Sequence, residues 1–434
     1  MRQRTQSSQA VRADILHFLA DPSLGRAQDA YEYIADGILL TEDGHIKAVG
    51  TAKALLARLP KNVRVIDRRG CLIMPGMVDL HTHFPQIGIV ASYGRRLVEW
   101  LDGYAFPQEQ RFADKAYARR CADFFLHEML RNGTTTAMVF ATVHSESVDA
   151  IFEAAHRLDL RLIAGKVLMD RNAPKGLLES AKSAYLNSRK AIERWHGSGR
   201  LAYAVTPRFA PTSTPELLKT AGRLLREHPG VYLQTHLCEN REEIAWVKKL
   251  FPRSPDYLGV YEEHGLAGER SVFAHYVHQS PAQTRRLARR GCAVAFCPSS
   301  NLFLGSGLFD HAKVRAEGIS VGLGSDIGAG TSLSLLRNLS EAYKVGQLRG
   351  YVMDPFEAFY MVTLGGAKAL RLDGHIGNLV AGKEADLIVV DLHATELMSY
   401  RMKSAGSLRD RLFLLMMLGD ERCIRETYVM GKRV

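Results

Sequence analysis

The chain has 434 residues, 46% hydrophobic and 24% charged, close to the globular averages. That balance excludes disordered, collagen-like and coiled-coil classes and leaves two or three domains, or one large barrel with an appendage. The longest uninterrupted apolar run, Leu412 to Leu418, falls far short of the ~20 residues a bilayer crossing needs, so no membrane partner is expected. The net charge of +11 is spread over amphipathic stretches such as Arg285-Arg286-Leu287-Ala288-Arg289-Arg290 without an aromatic-interleaved basic module, which reads as solvated helix faces and argues against a nucleic-acid partner.

From the N-terminus, Met1 to Gln9 are polar, and Ile15-Leu16-His17-Phe18-Leu19 is too short and interrupted for a signal-peptide core, so a cytoplasmic location is expected. The six cysteines (Cys71, Cys121, Cys238, Cys292, Cys297, Cys423) include no Cys-x-x-Cys pair, which predicts reduced thiols and neither a disulfide framework nor a thiolate zinc site. Residues 30–49 and 62–73 read as short strands with turn residues. From residue 77 onward, apolar β-branched runs alternate with helical stretches, the pattern of a parallel α/β sheet. Eight strands are predicted: 77–83, 134–140, 161–168, 201–206, 231–236, 271–275, 293–297 and 320–326. Helix signals fill the gaps. A run at 111–131 closes on Asn132-Gly133, Thr214-Pro215 and Ser280-Pro281 read as N-cap plus first-turn proline, and a further helix spans 333–348.

Eight such units in about 300 residues fit a TIM (β/α)8 barrel. Residues 376–391 return to the short-strand style of the N-terminus, so the two chain ends are expected to form one small β-sandwich domain. The predicted division is 1–74 and 376–434 for that domain and 75–375 for the catalytic barrel. The helical run 407–417 has no assigned place, and no internal repeat is evident.

The chemistry concentrates at predicted strand ends. His81-Thr82-His83 closes the first barrel strand, and period-two alternation turns both imidazoles the same way. His236, His275 and Asp326 end strands five, six and eight, at the rim where barrel enzymes keep their active sites. Five ionisable groups converging there are hard to satisfy without a metal or one another. Imidazoles with one carboxylate suit a single Zn²⁺, with Fe²⁺ taking the same donors. Glu239, three residues after His236, is placed to shuttle protons without ligating, against a competing reading as a helix N-terminal carboxylate. His275 is placed to hydrogen-bond the attacking water. The His-x-Glu and Pro-Cys-x-x-Cys pattern of cytidine-deaminase zinc sites is not arranged here. Cys297-Pro298 reads as structural, and a carbamylated Lys166 bridging two metals is disfavoured because it would leave Glu239 idle.

Met74-Pro75-Gly76-Met77-Val78-Asp79-Leu80-His81-Thr82-His83, Thr235-His236-Leu237-Cys238-Glu239, Gly324-Ser325-Asp326 and Gly377-Asn378-Leu379-Val380-Ala381-Gly382-Lys383-Glu384-Ala385-Asp386-Leu387 resemble the metal-dependent amidohydrolase superfamily. Phe84-Pro85-Gln86, Leu97-Val98-Glu99-Trp100-Leu101 with Phe106-Pro107, Thr206-Pro207-Arg208-Phe209-Ala210-Pro211 and Cys297-Pro298-Ser299-Ser300-Asn301 narrow the resemblance to its guanine deaminase family. The resemblance implies zinc on His81, His83, His236 and Asp326, Glu239, His275 and Asp326 as catalytic groups, and a purine held by Gln86 and Arg208 with His83 and His236 alongside. It also implies a homodimer and hydrolysis of guanine to xanthine and ammonia in purine catabolism. Guanine's O6 and N7 acceptors suit an Arg fork, and a Gln amide suits its N1–H and O6 edge. Phe209 and Trp100 are candidates to stack on or wall the base. A deaminase or chlorohydrolase of another nitrogen heterocycle, such as a pterin, triazine or adenosine derivative, is the alternative. A non-catalytic barrel homologue is disfavoured because every ligand position is intact.

Overall fold

The computed structural model describes residues 8–94 and 96–434. The expected first part of the β domain begins at residue 1, and its first seven residues lie outside the described residues. The N-terminal strands are β1 (Ser8–Phe18), β2 (Tyr31–Glu42), β3 (His45–Thr51) and β4 (Arg64–Pro75). The barrel strands follow as β5 (Met77–His83), β6 (Thr134–Phe140), β7 (Arg161–Gly165), β8 (Val167–Leu168), β9 (Leu201–Pro207), β10 (Tyr232–Leu237), β11 (Ser271–His275), β12 (Ala293–Phe296) and β13 (Ser320–Leu323). The tail contributes β14 (Leu387–Asp391), β15 (Ile424–Val429) and β16 (Lys432–Arg433).

The fold is a TIM barrel with a small β domain from both termini. One sheet runs β16-β15-β14-β4-β1-β2-β3, and the other runs β13-β12-β11-β10-β9-β7-β6-β5 with β8 paired to β9. The barrel pairings are parallel, such as His236 opposite Ala274 and Val272 opposite Ala293. Across the remaining seam the Asp326 N–H donates to the His81 carbonyl at 2.8 Å and the His83 N–H to the Ile327 carbonyl at 2.9 Å. The barrel interior is filled by Val78, Leu80, Met138, Ile163, Tyr232 and Val272, with Leu370 and Leu372 plugging the end away from the site. Closing that end leaves the C-terminal rim as the place for chemistry.

The β domain is held to the barrel at β4, which continues into β5 through Gly76. A Cβ at Gly76 would stand 2.1 Å from the Thr135 hydroxyl, so only glycine lets β5 approach β6 here. The antiparallel pairing of β14 with β4, Ile388 opposite Met74, brings the two chain ends together over Val11, Ile15, Ile73, Leu387 and Val389.

Three predicted strands match without change, and the others differ for local reasons. The third predicted barrel strand is interrupted at Lys166, whose N–H goes to the Tyr203 hydroxyl at 3.3 Å instead of a ladder carbonyl. The fourth runs one residue further, to Pro207, where β8 pairs with it. The fifth starts one residue late because Val231 N–H turns back to the His228 carbonyl. The seventh stops before Cys297, since Pro298 opens a helix. The eighth ends at Leu323, so Asp326 lies past the strand with φ of 47°. The predicted helix at 111–131 begins at Lys115, capped by Asp114 on the amides of Ala116 and Tyr117. The one at 333–348 begins at Leu335. Within 376–391 only Leu387–Asp391 is strand. The run at 407–417 is a helix, Leu408–Leu418, that packs on the barrel helices Leu335–Leu348 and Pro355–Met361. No helix among the described residues is long and apolar enough to cross a membrane, and all six cysteines are free.

Candidate active site

The strand ends deliver their side chains to one point. His81 and His83, on the same face of β5, have ring centroids 4.9 Å apart, and His83 Nε2 lies 3.3 Å from His236 Nε2. Asp326 Oδ1 lies 3.2 Å from His81 Nε2 and 3.5 Å from His83 Nε2. Burial and the neighbouring imidazoles hold His83 and His236 well below the ordinary imidazole value, so both present neutral lone pairs. Burial works to raise Asp326, but His81 and the other imidazoles overcome it and keep the carboxylate ionised.

The donor set fits a metal ion. One ligand atom from each of His81, His83, His236 and Asp326 lies within 4.8 Å of the others. The His81 Nε2 atom is buried without a hydrogen-bond partner among the described residues, a state a cation relieves. The His236 Nδ1 is 2.7 Å from the Arg208 carbonyl, an acceptor only, so the proton sits on Nδ1 and Nε2 is free to ligate. A second combination, His81, His275, Cys297 and Asp326, also converges. Burial, however, pushes the Cys297 thiol well above its ordinary value, and its Sγ donates to the Ala295 carbonyl. A buried thiol is a poor metal ligand.

Glu239 and His275 face this cluster. Glu239 Oε2 is 3.6 Å from His275 Nε2, and His275 Nε2 is 3.8 Å from Asp326 Oδ2. Burial, with the Asp326 charge, raises the Glu239 carboxyl against the pull of His275. Burial lowers His275, but the charges of Glu239 and Asp326 outweigh it and raise its affinity for a proton. The two groups thus face each other across 3.6 Å, each with a raised affinity for a proton. The competing helix-cap role is filled elsewhere: Asn240 accepts from the Glu243 N–H of the helix Arg241–Leu250 and forms a capping box with Glu243.

Cys238, His275 and Asp326 all have left-handed backbone, with φ of 51°, 71° and 47°. Each such non-glycine residue costs about 1–3 kcal/mol and clusters at functional sites. Here the turns swing the chain away from the strand direction just where the side chains must converge.

Beside the cluster a small cavity is lined by Gln86, Trp100, Arg208, Phe209, Glu239 and His275, among others. Arg208 and Gln86 are both buried, as are Trp100 and Phe209. The Trp100 ring packs so tightly on the chain that a Cβ at Gly94 would stand 2.4 Å from it. The Phe209 ring lies 6.4 Å from His236 and 6.2 Å from Trp246, centroid to centroid. The cavity thus has apolar walls with a few convergent polar groups, as small-molecule sites do.

Residues 72–434 match the model of the amidohydrolase family. Guanine deaminase of Escherichia coli (strain K12) is 52% identical over 405 residues, covering 93% of this chain and 92% of that protein. This chain belongs to the guanine deaminases of the amidohydrolase family. The solved E. coli guanine deaminase superposes with a TM-score of 0.96 at 50% identity, over 98% of this chain and 99% of that one. A guanine deaminase from C. acetobutylicum, solved with bound guanine in the active site, superposes with a TM-score of 0.88 at 30% identity over 99% and 100%.

In this family member the site residues anticipated from sequence line one cavity, except His81, which joins them through the cluster with His83, His236 and Asp326, and the structure adds three. Asn301 Oδ1 is 2.9 Å from His275 Nδ1 and leaves the other ring nitrogen facing Glu239. Ser306 donates to Glu239 Oε1 at 3.0 Å. Glu109 accepts from both Gln86 and Arg208. Asn301 and Glu109 lie inside or two residues beyond segments that carry the family resemblance, which is a usable signal; Ser306 sits in a Gly-Ser-Gly loop with none. Lys166 is engaged with Glu179, away from the metal donors.

Proposed function

We propose that this protein hydrolyses guanine to xanthine and ammonia, as a step of purine catabolism, with one Zn²⁺ per chain on His81, His83, His236 and Asp326. The observation that carries the reading is that three of these donors, His83, His236 and Asp326, and the Arg208–Gln86 pair border the same small cavity. When bound, the ion supplies Lewis acidity that makes water nucleophilic at neutral pH; Fe²⁺ would take the same donors.

Arg208 donates to the purine O6 and N7 and Gln86 pairs with the N1–H and O6 edge, with Phe209 and Trp100 as walls and His83 and His236 alongside. That orientation brings C2 to the attacking water. Glu239 takes the water proton and delivers it to N3, while His275 and Asp326 hold the water in line. As the C2–N bond breaks, Glu239 takes the remaining proton of the added hydroxyl and passes it to the departing amino group, so that the C2 oxygen becomes the carbonyl of xanthine and ammonia leaves. The raised affinity of Glu239 for a proton supports this role, since a general acid–base near neutrality transfers protons most efficiently.

A relative solved with guanine in its active site supports the substrate. Ammonia release measured over a panel of purines, pterins and triazines tests it. Turnover of guanine well above all others is expected, and a preferred pterin or triazine would replace the reading. We also propose a cytoplasmic homodimer, which fractionation and sedimentation test. We assign the division of the chain as 1–74 with 376–434 for the β domain and 75–375 for the barrel.

A further inference from the structure

Glu109 is 0% exposed, on the short helix Phe106–Gln110, and all its partners belong to the substrate clamp. Its two oxygens accept from one Arg208 nitrogen, Nη1, at 2.8 and 2.7 Å. Oε1 also accepts from Gln86 Nε2 at 2.8 Å. The Arg208 guanidinium lies 5.3 Å over the Phe106 ring, so its plane is held from the side as well. With Nη1 taken, the rest of the fork is left to the cavity that Arg208 lines.

A carboxylate only accepts, so Glu109 decides which way round the Gln86 amide sits. The NH₂ group must face Glu109, and the amide oxygen then accepts from the Gly328 N–H at 3.2 Å, two residues beyond Asp326. One N–H and one oxygen lone pair of Gln86 remain for a ligand edge that carries an acceptor beside a donor. Charge adds a second consequence. Arg208 is a buried cation, and an unpaired buried cation would attract an anionic ligand strongly.

We infer that Glu109 is a positioning residue that sets the register of Arg208 and Gln86 and neutralises the Arg208 charge, so that the clamp prefers a neutral purine to a purine anion. This rests on the reading of Arg208 and Gln86 as the clamp. Xanthine, unlike guanine, loses a proton near neutral pH, so the device keeps the product from being retained as its anion.

The test uses the metal-loaded Glu109→Gln, Glu109→Asp and Arg208→Met variants and the Glu109→Gln/Arg208→Met double variant. Guanine kinetics, metal content and xanthine inhibition are measured on both sides of the xanthine ionisation. Glu109→Gln should raise the guanine KM roughly 10- to 100-fold with metal content unchanged, the size of loss a misplaced clamp produces. Xanthine should inhibit it increasingly as pH rises, a dependence the wild type lacks. In the Arg208→Met background the same change should add nothing. A wild-type KM in Glu109→Gln, or xanthine inhibition with unaltered pH dependence, overturns the inference. If Glu109→Gln does not fold, Glu109→Asp carries the test. It keeps the charge and shortens the reach, so KM should rise while the xanthine pH profile stays wild type, and an unchanged KM overturns the inference. Wild-type guanine kinetics in Arg208→Met would sink the clamp reading itself, whereas impaired Arg208→Met beside normal Glu109 variants sinks only the role of Glu109.

Discussion

Glu239 has its oxygens toward Ser306 and His275, while its own N–H is held by Glu243 at 2.8 Å. Backbone and carboxylate are thus anchored separately, which is what a group that must give up and regain a proton in place requires. Glu239→Gln keeps the size but cannot carry the proton, so kcat should fall ~10²–10⁴-fold with metal content and guanine binding near normal. Stopped-flow turnover with parallel metal analysis checks it; an almost intact kcat would leave Glu239 without a proton role. Asp326, with Oδ1 beside His81 and His83, is the one anionic group of the proposed donor set. Asp326→Asn should therefore lose both turnover and stoichiometric metal, against one equivalent per chain in the wild type. Elemental analysis returning two equivalents in the active wild type would contradict a single-ion site.

The junction of β10 with the helix Arg241–Leu250 carries the proposed ligand, the proposed proton shuttle and the helix cap in five consecutive residues, His236 to Asn240. The left-handed Cys238 ends the strand and sends Glu239 back over the rim. Asn240 then opens the helix with Glu243 as its reciprocal partner. The division of labour between neighbours predicts opposite phenotypes. Asn240→Ala should cost about 1 kcal/mol of stability with kcat little changed, since it removes a cap and not a catalytic group. Chemical denaturation and kcat on this variant and on Glu239→Gln should show stability loss in the first and rate loss in the second. A large kcat defect in Asn240→Ala would mean that cap geometry itself sets the position of Glu239.

Between the barrel and the chain ends lie buried ion networks. Arg200 donates to Glu384 at 2.6 Å, and Arg161 also donates to Glu384 at 2.8 Å, tying two barrel strand regions to the tail. On another side Glu357 accepts from Tyr351, Arg315 and His311, and Arg315 also binds Asp21 in the loop after β1. Burial alone would raise Glu357, but the His311 and Tyr351 hydrogen bonds and the Arg315 charge win and bring it down to about 2. A carboxylate lowered in the folded state stabilises above its ordinary value of 4.5 and loses that contribution as pH falls from there toward its folded value. The shift corresponds to a stabilisation on the order of 3 kcal/mol at neutral pH. Urea midpoints followed downward through that acid window should drop steeply in the wild type. Glu357→Gln should be less stable at neutral pH and show a flatter acid limb, and a limb identical to wild type would remove Glu357 from the acid response.

Much of this was legible in the residues themselves. Period-two placement of His81 and His83, and carboxylate or imidazole at the ends of later strands, are local facts that any parallel barrel turns into a shared rim, so the eightfold alternation and the convergence of the candidate metal donors with Glu239 could be read directly. The proline and Asn-Gly signals marked helix ends because they act through backbone geometry within a few residues. What the chain order could not reveal were pairings across long separations. Glu109 meets Arg208 only because the segment after β5 folds over β9, the Leu408–Leu418 helix finds its place only against barrel helices, and Asn301 reaches His275 across two strands. Sequence patterns record which side chains one element presents; which buried charges end up sharing a proton or a counter-ion depends on how separate elements pack, and that was decided only in the tertiary structure.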